Sequence, residues 1–266
     1  MFDLHSHGAD TFVGEGPRYP WGGLYGGQIV AQALRAAAFT VDTEFAPHSI
    51  RAYFIRGGDH TEPIRYEVDR IRNGRSFTTR RVVARQAVGA ILNAECSFQK
   101  PERSAAMQAV EMPSVPGPDR LENTSFSSRF DRRFVDDGEV EGPARDGIGR
   151  VVAWMRATDA FADIDDGPCL HECWLAYISD DLPSDTVRTA HRTVWDGDPD
   201  VHLSGISLDH TIWFHRPLRS DRWHLYDFSC HHYVGARGLS LGHVFNEDGE
   251  HVATVAQEVL LREPRP

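Results

Sequence analysis

The sequence predicts an α+β fold made of two similar halves, each with a helix followed by an antiparallel meander. The mostly apolar segments 26–39 and 170–179 are typical of buried helices, and extended segments with turn signals follow each of them. The two meanders match at a constant offset of 160 residues, which pairs Phe54 with Phe214, Arg56 with Arg216, Tyr66 with Tyr226 and Gly89 with Gly249. The repeat and the lack of alternating βαβ units favour a tandem duplication.

The first helix begins at a glycine-rich turn. In GGQIVAQALRAAAF, the polar residues Gln28, Gln32 and Arg35 are spaced i, i+4, i+7, so they share one narrow stripe and the rest of the circumference is apolar. Gly26 and Gly27 would let a ligand approach the N-terminal amides closely. We therefore predict Gly26, Gly27 and Gln28 as substrate-binding residues; the alternative is that the glycines serve tight packing of a buried helix.

The strands of the first half are rich in β-branched and aromatic residues. They are predicted at 50–56, 63–72, 76–86 and 90–99, with a hairpin turn at Asn73-Gly74 and a second turn at 87–89.

A change of composition separates the two halves. Residues 101–128 contain four prolines and little periodicity, so we predict an N-terminal domain at 1–103, a linker at 104–128 and a C-terminal domain at 129–266. In the C-terminal half, strands are predicted at 130–136, 150–158, 210–217, 223–233, 236–245 and 251–262.

Composition narrows the functional classes. The chain has 266 residues and a net charge of −11, which disfavours a nucleic-acid binder. It has no apolar run near the ~20 residues of a membrane helix, no visible secretory signal and only four cysteines, so we expect a cytoplasmic protein with reduced thiols. The stretch from Arg51 to Arg103 has 11 basic and 6 acidic residues, and this local excess could form a basic face.

Several motifs resemble one family of enzymes. WGGLYGGQIVAQAL, HSIRAYFIRGGD, LDHTIWFHRP, ARGLSLG and GEHVATVAQEVLLR resemble the type II acyl-CoA thioesterases, the TesB-like enzymes with a double hotdog fold. The resemblance runs over nearly the whole chain and is poorest in the linker. It implies a tandem hotdog in which each half is a long central helix wrapped by an antiparallel sheet, and hydrolysis of acyl-CoA to a free acid and CoA.

The resemblance also implies the catalytic residues. In that family an Asp, a Ser or Thr and a Gln hold and activate a water, and the matching positions here are Asp209, His231 and Gln257. The family hydroxyl is absent, since register counted from Ala236-Arg237-Gly238 gives His231; a shift of one residue would give Cys230 or His232. Gln257 could orient the water with its carbonyl or the oxyanion with its amide, and the sequence does not choose.

Other functions fit the sequence less well. An acyl-CoA-binding hotdog protein with weak or lost turnover is the alternative that His231 motivates, and an enoyl-CoA hydratase would need an Asp and a His at the first helix start. No segment has the spacing of a zinc site, a P-loop or a nucleophile elbow, so we expect neither a metal nor a cofactor. The expected partner is acyl-CoA, and a homodimer or higher homo-oligomer is possible.

Overall fold

The computed structural model describes residues 1–142, 146–158, 169–195 and 203–262. The chain divides into two units: unit 1 comprises Met1–Ala106, Ala160–Tyr177 and His210–Phe214, and unit 2 comprises Met107–Asp159, Ile178–Asp209 and His215–Pro266. The domain boundaries taken from the sequence stay a prediction. Among the described residues, no helix is both long and apolar enough to cross a membrane.

Unit 1 is a sheet with a buried helix. Its strands are β1 (His5–Ser6), β2 (Thr11–Gly14), β3 (Ala46–Phe54), β4 (Ile64–Asn73), β5 (Phe77–Gln86) and β6 (Gly89–Gln99), and most of β10 (Asp209–Phe214) belongs to it. The strand order is β1-β2-β4-β5-β6-β3-β10. Helix α1 (Gly26–Ala38) packs against β2 to β6, and every residue from Gly27 to Ala38 is buried.

Unit 2 repeats the helix-on-sheet arrangement with different helix boundaries. Its strands are β7 (Phe130–Val135), β8 (Ile148–Ala157), β9 (Ser204–Ser207), β11 (His224–Val234), β12 (Arg237–Asn246) and β13 (His251–Arg262). Their order is β13-β12-β11-β8-β7, and β9 also pairs with β13. Helix α2 (Leu170–Ser179) matches the prediction, but its residues up to Tyr177 belong to unit 1. In unit 2, α3 (Leu182–Val194), which was not predicted from the sequence, is the helix that packs on β8, β11, β12 and β13.

The 160-residue offset holds for the strands as well as for single residues. Strand β4 begins at Ile64, and the equivalent strand β11 begins at His224. Strand β5 spans Phe77–Gln86, and the equivalent strand β12 spans Arg237–Asn246. The turn glycines Gly89 and Gly249 both have positive φ, of 107° and 79°. The same register therefore recurs in both meanders, as a tandem duplication predicts.

The proline-rich segment packs on the unit 2 sheet. Val110, Met112, Val115 and Leu121 lie against a core cluster that includes Val135, Trp154 and Phe245. Trp154 also donates a hydrogen bond from Nε1 to the Pro116 carbonyl at 2.9 Å. The segment lacks regular periodicity because its contacts are made residue by residue rather than by one helical or strand face.

Candidate active site

Asp209 lies where β9 ends and β10 begins. Strand β9 pairs with β13 up to Ser207, which is opposite Val259. The Leu208 N–H then donates to the Glu258 carbonyl at 2.9 Å, and Asp209 Oδ1 accepts the Glu258 N–H at 2.7 Å. The Asp209 carboxylate thus takes the place of a main-chain acceptor at the break between the strands. Within the described residues, its Oδ2 atom has no hydrogen-bond partner.

The environment of Asp209 favours a basic carboxylate. Burial raises its pKa above the ordinary 3.8, the Glu258 N–H opposes the rise, and the Glu258 carboxylate adds to it. A raised pKa makes a carboxylate a better proton acceptor at a pH where it is still ionised. Asp209 is partly exposed, so water can reach it.

Gln257 lies on the buried face of β13, next to two polar groups that no sequence motif identifies. Its side chain is fully buried, and its Nε2 donates to Ser207 Oγ at 2.7 Å. Ser207 Oγ donates in turn to Asp180 Oδ1 at 3.3 Å. Asp180 is buried in the short gap between α2 and α3. Asp209 is held close to Gln257 along β13, because its Oδ1 accepts the N–H of Glu258, the residue that directly follows Gln257.

His231 lies at an irregularity of β11. Its side chain is exposed, and its Nε2 is 3.3 Å from Ser229 Oγ. The ladder between β11 and β12 pairs Cys230 with Ser240 and then His232 with Leu239, so His231 is the extra residue of a β-bulge. Among the described residues, His231 forms no hydrogen bond with Asp209 or Gln257.

The buried face beside Gln257 carries a serine and a cysteine. Ser240 is directly opposite Gln257 in β13 and opposite Cys230 in β11, so the three side chains share one face across adjacent strands. Burial raises the pKa of the Cys230 thiol, against a smaller lowering by a main-chain hydrogen bond with His232. Ser240 is fully buried, and in the described part of the chain its Oγ has no hydrogen-bond partner.

The predicted substrate-binding residues lie at the start of α1 in unit 1. Gln28 is fully buried: its Oε1 accepts from Tyr19 Oη at 2.9 Å and its Nε2 donates to Gln32 Oε1 at 3.5 Å. A Cβ on Gly27 would lie 2.2 Å from the Tyr177 carbonyl oxygen, so this position needs glycine for packing. Gly26 is the first residue of the helix. The structure thus supports the packing interpretation of Gly27, and a ligand role stays a prediction.

Many arginines of the N-terminal meander already have acidic partners. Arg70 pairs with Asp10 at 2.8 Å, Arg85 with Glu67 at 2.8 Å, and Arg81 with Asp69. These pairs reduce the number of arginines on the sheet that are available to bind an anionic ligand. Within the described ranges, no group of three His, Cys, Asp or Glu side chains is arranged to hold a metal ion.

Comparison with known proteins assigns both parts of the chain to one family. Residues 16–99 match the family model for the acyl-CoA thioesterase N-terminal domain, and residues 102–261 match that for the C-terminal domain. Acyl-coenzyme A thioesterase 8 from Homo sapiens is 33% identical, with 98% of this chain and 88% of that protein covered. Acyl-CoA thioesterase 2 from Haemophilus influenzae is 31% identical, with 94% and 92% covered.

Solved structures show the same fold. The acyl-CoA thioesterase II TesB2 from Mycobacterium marinum superposes with a TM-score of 0.84 at 35% identity, covering 100% of this chain and 98% of that one. A protein from Alicyclobacillus acidocaldarius described as having a hot dog fold superposes with a TM-score of 0.76 at 18% identity, covering 99% and 97%.

Proposed function

Since this chain belongs to the acyl-CoA thioesterase family, whose members hydrolyse acyl-CoA thioesters, we propose that Asp209 and Gln257 hold and activate the attacking water. The observation that carries the proposal is the junction at Glu258: Asp209 binds the N–H of the residue that directly follows Gln257. A partly exposed carboxylate and a buried amide are thereby brought to one point of β13.

The proposed reaction needs only water and the thioester. Water attacks the carbonyl carbon while Asp209 accepts the water proton, and a tetrahedral intermediate forms. The carbon–sulfur bond then breaks, and the CoA sulfur receives the proton from Asp209. The products are a free acid and CoA, and the carboxylate is regenerated.

The role of Asp209 is tested by Asp209→Asn in a CoA-release assay. We expect kcat to fall by roughly 10²–10⁴-fold with little change in KM, because the general base is lost while binding contacts remain. In the wild type, the acid limb of the pH profile should lie above the ordinary Asp pKa of 3.8, since the pKa of Asp209 is raised.

Asp69→Asn is the matched control, since Asp69 is an exposed carboxylate paired with Arg81 on the surface of unit 1. It should leave kcat unchanged. Near wild-type turnover in a folded Asp209→Asn protein would contradict the proposal and leave Asp209 with only its structural role at the strand break.

His231 is the third catalytic residue that the resemblance implies. Because its side chain is exposed, substitutions of His231 test whether it acts on the water at all. If the imidazole faces the water, His231→Thr keeps activity because the hydroxyl can also hold the water, while His231→Ala loses activity. Unchanged rates and pH profiles in both variants would remove His231 from the site. Cys230→Ala then tests the neighbouring residue on the buried face.

We propose that the substrate-binding residues are Gly26, Gly27 and Gln28. The support for them is the glycine-rich start of α1, where main-chain N–H groups can meet a thioester or phosphate oxygen. The Tyr19–Gln28 hydrogen bond holds the side chain of Gln28 in place beside this helix start.

We also propose the architecture, the location and the assembly of the protein. Each half is a hotdog in which the sheet wraps a central helix, and the helix contacts of α1 and α3 support this. The protein is cytoplasmic, in keeping with four free cysteines, and acts as a homodimer or higher homo-oligomer. Sedimentation velocity at several concentrations tests the last point: a single species with the mass of one chain would contradict it.

A further inference from the structure

We propose that Asp180 and Ser207 are positioning residues that fix which end of the Gln257 amide faces the reacting water. The inference rests on the proposed role of Gln257. The family resemblance supplies neither residue, and Ser207 lies on β9 rather than on the strand that carries His231. The proposed positioning also decides whether Gln257 orients the water with its carbonyl or the oxyanion with its amide, which the sequence leaves open.

The three groups form a buried chain of hydrogen bonds. Gln257 Nε2 is 2.7 Å from Ser207 Oγ, and Ser207 Oγ is 3.3 Å from Asp180 Oδ1. Gln257 is fully buried, Asp180 is 6% exposed, and Ser207 is partly buried. Little water competes for these bonds, so their direction depends on the protein groups themselves.

The carboxylate sets the direction of the chain. The Ser207 hydroxyl donates its single hydrogen to Asp180 Oδ1, the direction in which a carboxylate acceptor orients it. Ser207 is then left with lone pairs towards Gln257, and only the NH₂ end of that amide can satisfy them. The Gln257 nitrogen therefore faces Ser207, and its carbonyl oxygen faces the other way.

The consequence is a defined chemical role for Gln257. A carbonyl oxygen accepts a hydrogen from the attacking water and aligns it, whereas an NH₂ group would stabilise the oxyanion instead. With the nitrogen held by Ser207, the carbonyl is the end that orients water.

The two-residue segment between α2 and α3, which contains Asp180, is held to the sheet by an ion pair. Arg132 of β7 binds Asp181 with Nη1 to Oδ2 at 2.6 Å, and both side chains are largely buried. This ion pair holds the residue beside Asp180 to the unit 2 sheet. The position of the carboxylate is therefore set by the fold and not by the Ser207 contact alone.

The first test reverses the direction of the chain without changing its shape. In Asp180→Asn the new amide can donate to Ser207, which frees the serine hydrogen to face Gln257 and favours the opposite orientation of its amide. We expect kcat to fall by about 10–100-fold with KM little changed. Ser207→Ala should lose a similar factor, and Ser207→Thr should restore it. The matched control is Ser204→Ala, at an exposed serine on the same strand.

The second test uses a pair of changes that a packing role would not couple. Gln257→Glu places a second acceptor against Ser207, while the only hydrogen of the Ser207 hydroxyl is still donated to Asp180. The new carboxylate then has no donor at Ser207, so turnover should fall. Adding Asp180→Asn releases the serine hydrogen to the carboxylate introduced by Gln257→Glu, so the double variant should turn over at least about 10-fold faster than Gln257→Glu alone. Thus Asp180→Asn should harm the wild type and help the Gln257→Glu enzyme.

The outcomes separate this inference from the proposed function. If Gln257→Ala has wild-type kcat, the proposed role of Gln257 fails. If Gln257→Ala is slow but Asp180→Asn and Ser207→Ala are not, the positioning role is wrong while the proposed function stands. Additive losses in the Asp180→Asn, Gln257→Glu double variant also overturn the positioning role. Circular dichroism on each purified variant confirms that the rates compare folded proteins.

Discussion

Gly27 offers a test that separates packing from ligand binding at the start of α1. In Gly27→Ala, the new Cβ would lie 2.2 Å from the Tyr177 carbonyl oxygen and 2.7 Å from the Tyr25 ring. An ordinary contact is 3.4 Å or more, so α1 or the Tyr177 main chain must move by about 1.2 Å. Main-chain atoms of a buried helix cannot yield as a side-chain end can.

The expected loss of stability follows from two opposing effects. Overpacking of this kind costs about 1–3 kcal/mol, and occasionally more, and the main-chain clash puts Gly27→Ala at the upper end. Alanine is a better helix former than glycine by about 1 kcal/mol, but Gly27 is at the first turn, where this gain is smaller. A net destabilisation of about 2–3 kcal/mol should lower the melting temperature by about 4–12 °C.

Thermal unfolding followed by circular dichroism measures this loss, with Gly23→Ala as the matched control. A Cβ on Gly23 meets only the Trp21 side chain, at 3.7 Å, so that variant should melt like the wild type. A Gly27→Ala protein as stable as the wild type would refute the packing argument. An unchanged melting temperature with a raised KM would assign the position to substrate binding instead.

Three further predictions concern stability and substrate binding. Ser240→Ala should raise the free energy of unfolding by about 1–2 kcal/mol, because it removes a buried hydroxyl that lacks a partner among the described residues; a loss of stability on urea titration would contradict this. Acid should destabilise the protein through His251, since burial, with smaller effects of His215 and His243, lowers its pKa to about 4. The unfolded chain then binds the proton first as the pH falls through 6.5, so the melting temperature should drop from pH 7 to pH 4, less steeply in His251→Asn. Added salt should raise KM if arginines of the N-terminal meander bind the CoA phosphates, and a salt-independent KM would refute that.

The strands could be predicted from the sequence because their pattern is local and repeated. Buried residues alternate with less buried ones along β5 and β12, and the two strands span equivalent residues at the 160-residue offset. The segment 251–262 is β13 to the residue. Such patterns need no knowledge of tertiary contacts.

Helix α3 was missed because its local signals conflict. Asp180, Asp181 and Pro183 indicate a break after α2, yet proline is well tolerated in the first turn of a helix, and Pro183 lies there. The helix is polar on most of its surface, with a buried stripe that includes Leu182, Val187 and Ala190. That stripe becomes a signal only once the unit 2 sheet is there to bury it.

The site shows the same division between local and tertiary information. Gln257 is an odd residue between Val255 and Val259, and from sequence alone its simplest place is the solvent face of a strand. The structure puts it on the buried face, where an amide without partners would be costly. A buried amide therefore needs polar partners from other segments. Here they are Ser207 from β9 and, through it, Asp180 from the gap between the helices. Neither belongs to a recognisable motif, because their proximity to Gln257 is created by the pairing of β9 with β13 and by the turn into α3. A buried polar residue in a strand therefore predicts that partners exist, while only the fold identifies them.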